Sequence, residues 1–271
     1  MITFPNAKIN LGLFIERKRP DGYHDISTIF YPIPLVDAVE IIPAPETELF
    51  LYGNPVDCPP EKNLVVKAYR LMAKEFHLPN AAIHLYKHIP DGAGLGGGSA
   101  DAAFLLKMLN EMHALGLDEE ELAKRAVALG ADCPFFIYNR PMIARGIGNI
   151  FTPAQVSLKG STIVVIKPEI SIPTALAYAG TTPKIPENDI ADIVALDPRE
   201  WKHALSNDFE ASIFPKFPEL EEIKKSLYAS GAYYASMSGS GSAIFGLYDN
   251  DNMADQFAAR CAHKRLFKLK L

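Results

Sequence analysis

Cysteine is scarce in this 271-residue chain: only Cys58, Cys133 and Cys261 occur, too scattered for a disulfide framework or a zinc site. A reducing compartment is the expected setting. An excess of basic charge is missing as well. Lys and Arg number 27 against 32 Asp and Glu, a formal net charge of -5, which leaves no electrostatic footprint for a nucleic acid. The basic runs Arg17-Lys18-Arg19 and Lys264-Arg265, the latter with Lys268 and Lys270, read as solvated turns and strand edges. No apolar run approaches the length of a membrane span, and Asn6, Lys8 and Asn10 interrupt anything resembling a secretory leader. Internal repeats and low-complexity tracts are lacking. What is present is 48% hydrophobic and 22% charged residues, the composition expected of a soluble cytoplasmic protein of one large or two ordinary domains. Monomer and homodimer both fit such a sequence.

Periodicity gives the elements. Ile9, Leu11, Leu13 and Ile15 alternate with Lys8, Asn10, Gly12 and Phe14, which predicts a half-buried strand over Ala7 to Ile15 whose second face carries a lysine and an asparagine about 7 Å apart. Pro20-Asp21-Gly22 supplies a turn, and Ile26 to Tyr31 returns. Further strands are expected at Ala38 to Ile42, Leu49 to Tyr52 and Ile83 to His88, with a helix capped by Asn63 running through Phe76. A helix from Ser99 to Leu115 places Leu105, Met108, Leu109 and Met112 at helical spacing, with Gly116 just past its end. Asp118 and Glu121 spell a capping box for the next helix, expected to stop at Gly130, and Asp132 follows that stop. The second half reads as a strand at Thr162 to Ile166, a helical stretch, a helix at Leu220 to Ser230, strands at Ala232 to Met237 and Ala243 to Leu247, a helix at Met253 to Ala262 and a final strand. That order is the ferredoxin-like split motif. The expectation is an α+β protein of two domains, 1–155 and 156–271.

The segment Pro90-Asp91-Gly92-Ala93-Gly94-Leu95-Gly96-Gly97-Gly98-Ser99-Ala100 holds five glycines directly before a strong helix. Glycine admits positive φ and lets anionic oxygens approach the amides, and the helix start adds unpaired N–H donors. Such a loop suits a polyphosphate. It is neither of two common phosphate loops. Gly92 to Gly97 spells G-x-G-x-x-G, but a second helix follows where a dinucleotide fold needs a strand ending in an acidic residue. A P-loop needs Lys before Ser or Thr, and Gly98-Ser99-Ala100 has none. Positive charge for phosphoryl transfer must therefore come from elsewhere, with Mg²⁺ and Lys8 as the candidates.

The loop resembles the phosphate loop of the GHMP kinases, and Met237-Ser238-Gly239-Ser240-Gly241-Ser242-Ala243 resembles that family's C-terminal glycine motif. Pro5-Asn6-Ala7-Lys8-Ile9-Asn10-Leu11, Arg19-Pro20-Asp21-Gly22-Tyr23-His24, Gly130-Ala131-Asp132-Cys133-Pro134-Phe135-Phe136, Ser171 to Thr174 and Ser206 to Glu210 are similar to members whose acceptor alcohol carries a cytosine base. The matches run from residue 5 to about 245. The resemblance implies a ribosomal-protein-S5-like N-terminal domain, a ferredoxin-like C-terminal domain with the site in the cleft between them, and ATP as phosphoryl donor with Mg²⁺.

It also implies roles for single residues. Asp132 would accept or orient the attacking hydroxyl's proton, and Lys8 would keep it ionised and stabilise the transferring group. Without the family, Asp132 reads as a turn residue and Lys8 as a surface lysine. Asn10 would touch the substrate hydroxyls. Tyr23 and His24 would line the base pocket, with Tyr178 and Phe30 stacking on the base and Thr174 as a polar contact; on spacing alone the aromatic residues are core. Ser99 is expected to cap the loop helix and to touch Mg²⁺ or the phosphates, and Asn63 to lie near the adenine. The loop departs from the commonest family spelling at Ala93 and Ala100, both still small. Rival readings are a GHMP kinase acting on homoserine, mevalonate or a sugar, and a nucleotide sensor without turnover.

Overall fold

The computed structural model describes residues 1–271. The strands are β1 (Ile2–Thr3), β2 (Asn6–Lys18), β3 (His24–Val36), β4 (Ala38–Pro43), β5 (Glu48–Gly53) and β6 (Ala81–Lys87). After them come β7 (Met142–Arg145), β8 (Ile150–Pro153), β9 (Thr162–Ile166), β10 (Tyr234–Met237), β11 (Ile244–Tyr248) and β12 (Leu266–Lys270). The helices are α1 (Leu64–Phe76), α2 (Gly97–Met112), α3 (Glu119–Val127), α4 (Cys133–Tyr138) and α5 (Thr174–Ala179). They continue with α6 (Ile190–Val194), α7 (Trp201–Ala204), α8 (Phe209–Ile213), α9 (Pro218–Ala229) and α10 (Asp251–Arg260). Two compact units form, and their segments interleave. One holds Met1–Ala7, Leu35–Asp91 and Gly96–Arg140; the other holds Lys8–Pro34, Gly92–Leu95 and Pro141–Leu271.

The first unit is a four-stranded sheet in the order β1-β4-β6-β5 with helices α1 to α4. Alternation along β4 and β6 buries Val39, Ile41, Ile83 and Leu85 on the helix side. Asn63 caps α1 by accepting from the Val65 N–H at 3.0 Å, as expected. The capping box at Asp118 and Glu121 forms in both directions. Its helix ends at Val127, sooner than Gly130 led one to expect. The loop helix α2 also differs from expectation: it starts at Gly97, with Gly96 at φ +74° as its N-cap, so Ser99 is a first-turn residue and caps nothing. The physical reason is Gly96 itself, since a left-handed residue turns the chain into the helix without a side-chain cap.

The second unit holds two sheets, β2-β3-β7-β8 and β10-β11-β9-β12. In the latter every neighbouring pair is antiparallel, and the order of strands and helices is ferredoxin-like. Pro218 opens α9 at its first turn and Asn250 caps α10. Val164, Ile166, Ile244 and Met237 from the sheet meet Leu220, Ile223 and Leu227 from α9 and Leu13 and Ile15 from β2 in one core.

That shared core overturns one expectation. β2 is buried on both faces, with Lys8 3%, Asn10 2% and Phe14 7% exposed. Its second face is closed by the chain around Leu205 and by β10: the Tyr234 hydroxyl accepts from the Gly12 N–H at 3.3 Å and donates to the Leu205 carbonyl at 3.0 Å. Gly12, at φ +64°, has room there for no side chain, because a Cβ would come within 2.4 Å of Leu205 Cδ1. Tyr234→Phe should therefore lower unfolding free energy by about 1–3 kcal/mol, the cost of orphaning buried partners. Urea denaturation of the variant checks this, and an unchanged midpoint would show that the hydroxyl is not needed to close β2.

Candidate active site

The glycine loop is held through its carbonyls. In the second unit the Ala93 carbonyl accepts from the Ala243 N–H at 3.1 Å and the Leu95 carbonyl from the Lys8 N–H at 2.9 Å. Between them the Gly94 carbonyl accepts from the Ser238 hydroxyl at 2.9 Å. A Cβ on Gly94 would lie 1.9 Å from the Ser238 carbonyl oxygen, and φ is +74°, so only glycine fits. In the first unit the loop runs on into α2, whose first intrahelical bond joins the Ala100 N–H to the Gly96 carbonyl at 2.9 Å. The N–H groups of Gly97, Gly98 and Ser99 thus precede the helical ladder, the arrangement that binds anions.

Beneath this helix start lies an ion cluster that motif reading missed. Lys87 donates to Asp101 Oδ2 at 2.6 Å and also to Asp37 Oδ2; all three side chains are at most 5% exposed. Asp37 Oδ1 accepts the His88 and Ile89 N–H groups at 2.5 and 2.7 Å. Burial works against the Lys87 charge, but the two carboxylates outweigh it and hold the ammonium above its ordinary value. Burial pushes the Asp101 carboxyl up to about 8, with Lys87 pulling it back and Asp37 adding to the rise.

In the second unit Lys8 and Asn10 do more than share a strand face. Lys8 Nζ donates to Asn10 Oδ1 at 2.6 Å and lies 4.7 Å from the centroid of Phe30. Asn10 Nδ2 donates to the Thr28 hydroxyl at 3.0 Å, which itself donates to the Gly12 carbonyl. The Asn10 N–H reaches the Ser238 hydroxyl at 3.3 Å. Asn207 Nδ2 bonds the carbonyls of Met237 and Gly239 at 2.8 and 2.9 Å, while Glu210 Oε1 accepts the Met237 N–H at 2.8 Å. Phe30, expected to stack on a base, is instead buried beneath the Lys8 ammonium.

His24, Tyr23, Thr174 and Tyr178 do come together. They line a cavity of about 610 Å³ with Lys18 and Ile147. The His24 and Tyr178 rings stack at 4.8 Å and 19°, and Phe209 braces Tyr178 edge-on at 4.8 Å. The Thr174 hydroxyl is 3.3 Å from that of Ser240 in the C-terminal glycine loop.

Asp132 is half-buried at the N-terminus of α4 and its side chain makes no cap hydrogen bond. Cys133 next to it is sealed in: burial pushes its thiol up to about 11, against a hydrogen bond with the Ser99 side chain. No group of three or more His, Cys, Asp or Glu side chains gathers to hold a metal ion. Among the expected nucleotide residues, Asn63 commits its side-chain oxygen to the α1 cap.

Two family models match the chain, the GHMP kinases N terminal domain over residues 63–140 and the GHMP kinases C terminal over 189–265. A 4-diphosphocytidyl-2-C-methyl-D-erythritol kinase of Bacteroides fragilis is 55% identical over 252 residues, covering 92% of each chain. A protein of the same name from Bacteroides thetaiotaomicron is 56% identical over 253 residues, again covering 92% of each. Among solved structures, a 4-(cytidine 5'-diphospho)-2C-methyl-D-erythritol kinase superposes with a TM-score of 0.83 at 34% identity, over 99% of this chain and 98% of the other. A homoserine kinase from Cytophaga hutchinsonii shares the fold, with a TM-score of 0.72 at 17% identity over 98% and 94% of the two chains. With whole-length relatives at this level of identity and both family models matched in order, the chain belongs to the GHMP kinases and, within them, to the family of the 4-diphosphocytidyl-2-C-methyl-D-erythritol kinases.

Proposed function

We propose that this chain transfers the γ-phosphoryl group of ATP to the 2-hydroxyl of 4-diphosphocytidyl-2-C-methyl-D-erythritol, giving the 2-phosphate and ADP. The reaction belongs to the non-mevalonate route to isoprenoid precursors. The relatives' names supply the acceptor. The observation in this chain that carries the reading is Lys8: its N–H is bonded to Leu95 of the glycine loop while its ammonium is held, buried, by Asn10 and Phe30. A buried fixed cation tied to a phosphate loop supplies the charge that this lysine-free loop lacks.

In this reading the amides of Gly97, Gly98 and Ser99 bind the ATP phosphates, the remainder of Pro90 to Ala100 shapes the cradle, and Asn63 lies near the adenine. Asp132 takes the proton from the 2-hydroxyl as its oxygen bonds to the γ-phosphorus and the bond to the β–γ bridging oxygen breaks, releasing ADP. Lys8 stabilises charge on the transferring group and Asn10 orients the substrate hydroxyls. His24 and Tyr178 offer the cytosine an aromatic face, with Tyr23 and Thr174 at the cavity wall. Ser99, the one hydroxyl side chain of the loop, would face Mg²⁺ brought in with ATP, which would supply charge neutralisation at the phosphates. The family's two domains correspond to 1–155 and 156–271. Three free cysteines support work in the reducing cytoplasm.

ADP release should appear with ATP, Mg²⁺ and 4-diphosphocytidyl-2-C-methyl-D-erythritol, and not with mevalonate or homoserine as acceptor. Turnover of either alternative would retain the kinase and discard the base pocket. Asp132→Asn should lower kcat by at least about 100-fold while leaving ATP binding intact; a loss under tenfold would remove Asp132 as the base. His24→Ala and Tyr178→Ala should each raise KM for the cytidyl acceptor by about tenfold, the worth of one base stack, with kcat little changed. If KM for ATP rises instead, the cavity serves the nucleotide.

A further inference from the structure

The cluster of Lys87, Asp37 and Asp101 takes no part in the chemistry just described, yet it is the most thoroughly buried set of charges in the first unit. Their side chains are 5%, 0% and 1% exposed. Such clusters are weak sources of stability, because desolvation cancels most of the attraction and apolar replacements are often neutral or better. This one has a defect besides. Asp101 Oδ1 is buried with no hydrogen-bond partner, and an unmet acceptor of that kind destabilises the fold that contains it.

Its placement along the chain explains what stability does not. Lys87 is the last residue of β6, and the two N–H groups that Asp37 receives belong to His88 and Ile89, the residues that lead into the loop at Pro90. Asp101 lies in the second turn of α2, just after the loop is left. The same two regions also touch sterically. A Cβ on Gly97 would come 3.0 Å from Ile89 Cγ2 and 3.2 Å from Lys87 Nζ. The cluster therefore joins the residue before the loop to the helix after it, and the amides of Gly97, Gly98 and Ser99 lie between the two ties.

We propose that Lys87, Asp37 and Asp101 form a positioning device for the nucleotide, fixing the start of α2 against the end of β6 so that the loop amides are aligned before ATP arrives. Asp101 is the member that serves alignment rather than stability. This rests on the reading of the loop as the ATP site. Two variants separate alignment from folding. Asp101→Asn keeps the shape and weakens the tie to Lys87. Asp101→Leu removes the unmet oxygen and leaves Lys87 and Asp37 as a closed pair. The Leu variant should unfold at the same urea concentration as the parent or higher. In both variants KM for ATP should rise at least tenfold, with KM for the acceptor unchanged. Amides 88–98 should exchange hydrogen faster in the ligand-free protein, while those of β9 to β12 do not change. ATP KM within twofold of the parent and unaltered exchange would overturn the proposal, as would a fall in unfolding midpoint with both KM values shifting together. A parent protein that turns over no ATP would sink the ATP reading instead, and the exchange experiment, which needs no ATP, would still decide the positioning role.

Discussion

The hydroxyl of Ser238 is the contact on which the glycine loop's position depends. It accepts from the Asn10 N–H and donates to the Gly94 carbonyl, so one oxygen links β2 and the loop to the end of β10. A neutral hydrogen bond contributes only about 0.5–1.5 kcal/mol net, so its effect is geometric more than energetic. With the carbonyls of Ala93 and Leu95 also bonded to the protein, three successive peptide groups have their orientation fixed. Gly94 is obligatory at the centre because the Ser238 backbone occupies the place of its side chain. The supports of Ser238 are equally specific: Asn207 and Glu210 bond the backbone on either side of it, and both come from the single stretch 206–210.

Lys8 shows how an amide oxygen and an aromatic face contribute to holding a buried cation. Its ammonium meets an amide oxygen and an aromatic face, both of which favour the charge without cancelling it. Asn10 can serve only in one orientation: Oδ1 must face the lysine, because Nδ2 donates to Thr28. Thr28 in turn donates to the Gly12 carbonyl. The chain of donors is thus directional from end to end, and a fixed array of this kind needs no reorganisation when charge develops nearby.

Much of this is legible in the sequence. Five glycines ahead of a helix declared the loop, the period of two placed Lys8 and Asn10 on one face, and the caps at Asn63 and Asp118 formed as their spacing indicated. The failures have physical causes. Ser99 looked like a cap because cap preference is written in side chains, whereas the turn was made by a left-handed glycine whose signal was lost among its neighbours. β2 read as half-buried because its second face carries polar residues, and only tertiary partners such as Tyr234 could reveal that they are sealed. The short elements α4, α6, α7, β7 and β8 are too brief to show a period. Lys87, Asp37 and Asp101 are separated by 50 and 14 residues, which no local pattern connects. The meeting of His24 and Tyr178 in one cavity was expected only through family resemblance, since an aromatic pair meeting from residues 24 and 178 leaves no trace in spacing.

The cavity wall and the glycine loop meet in one piece of backbone. Thr174 opens α5 at the cavity wall, and its hydroxyl lies 3.3 Å from Ser240 in the loop that runs from Met237 to Ser242. Two residues earlier in that loop, Ser238 fixes Gly94. The cavity lined by His24 and Tyr178 is therefore tied to the same segment that fixes the glycine loop. Transfer requires the acceptor oxygen and the phosphorus to approach to near-contact distance, and an error of about 1 Å can cost two orders of magnitude in rate. If each pocket hung from a separate mobile loop, their errors would add. Anchoring both on the 237–242 turn, whose backbone Asn207 and Glu210 bond, ties the cavity wall and the glycine loop to one segment, so a shift of that segment carries both.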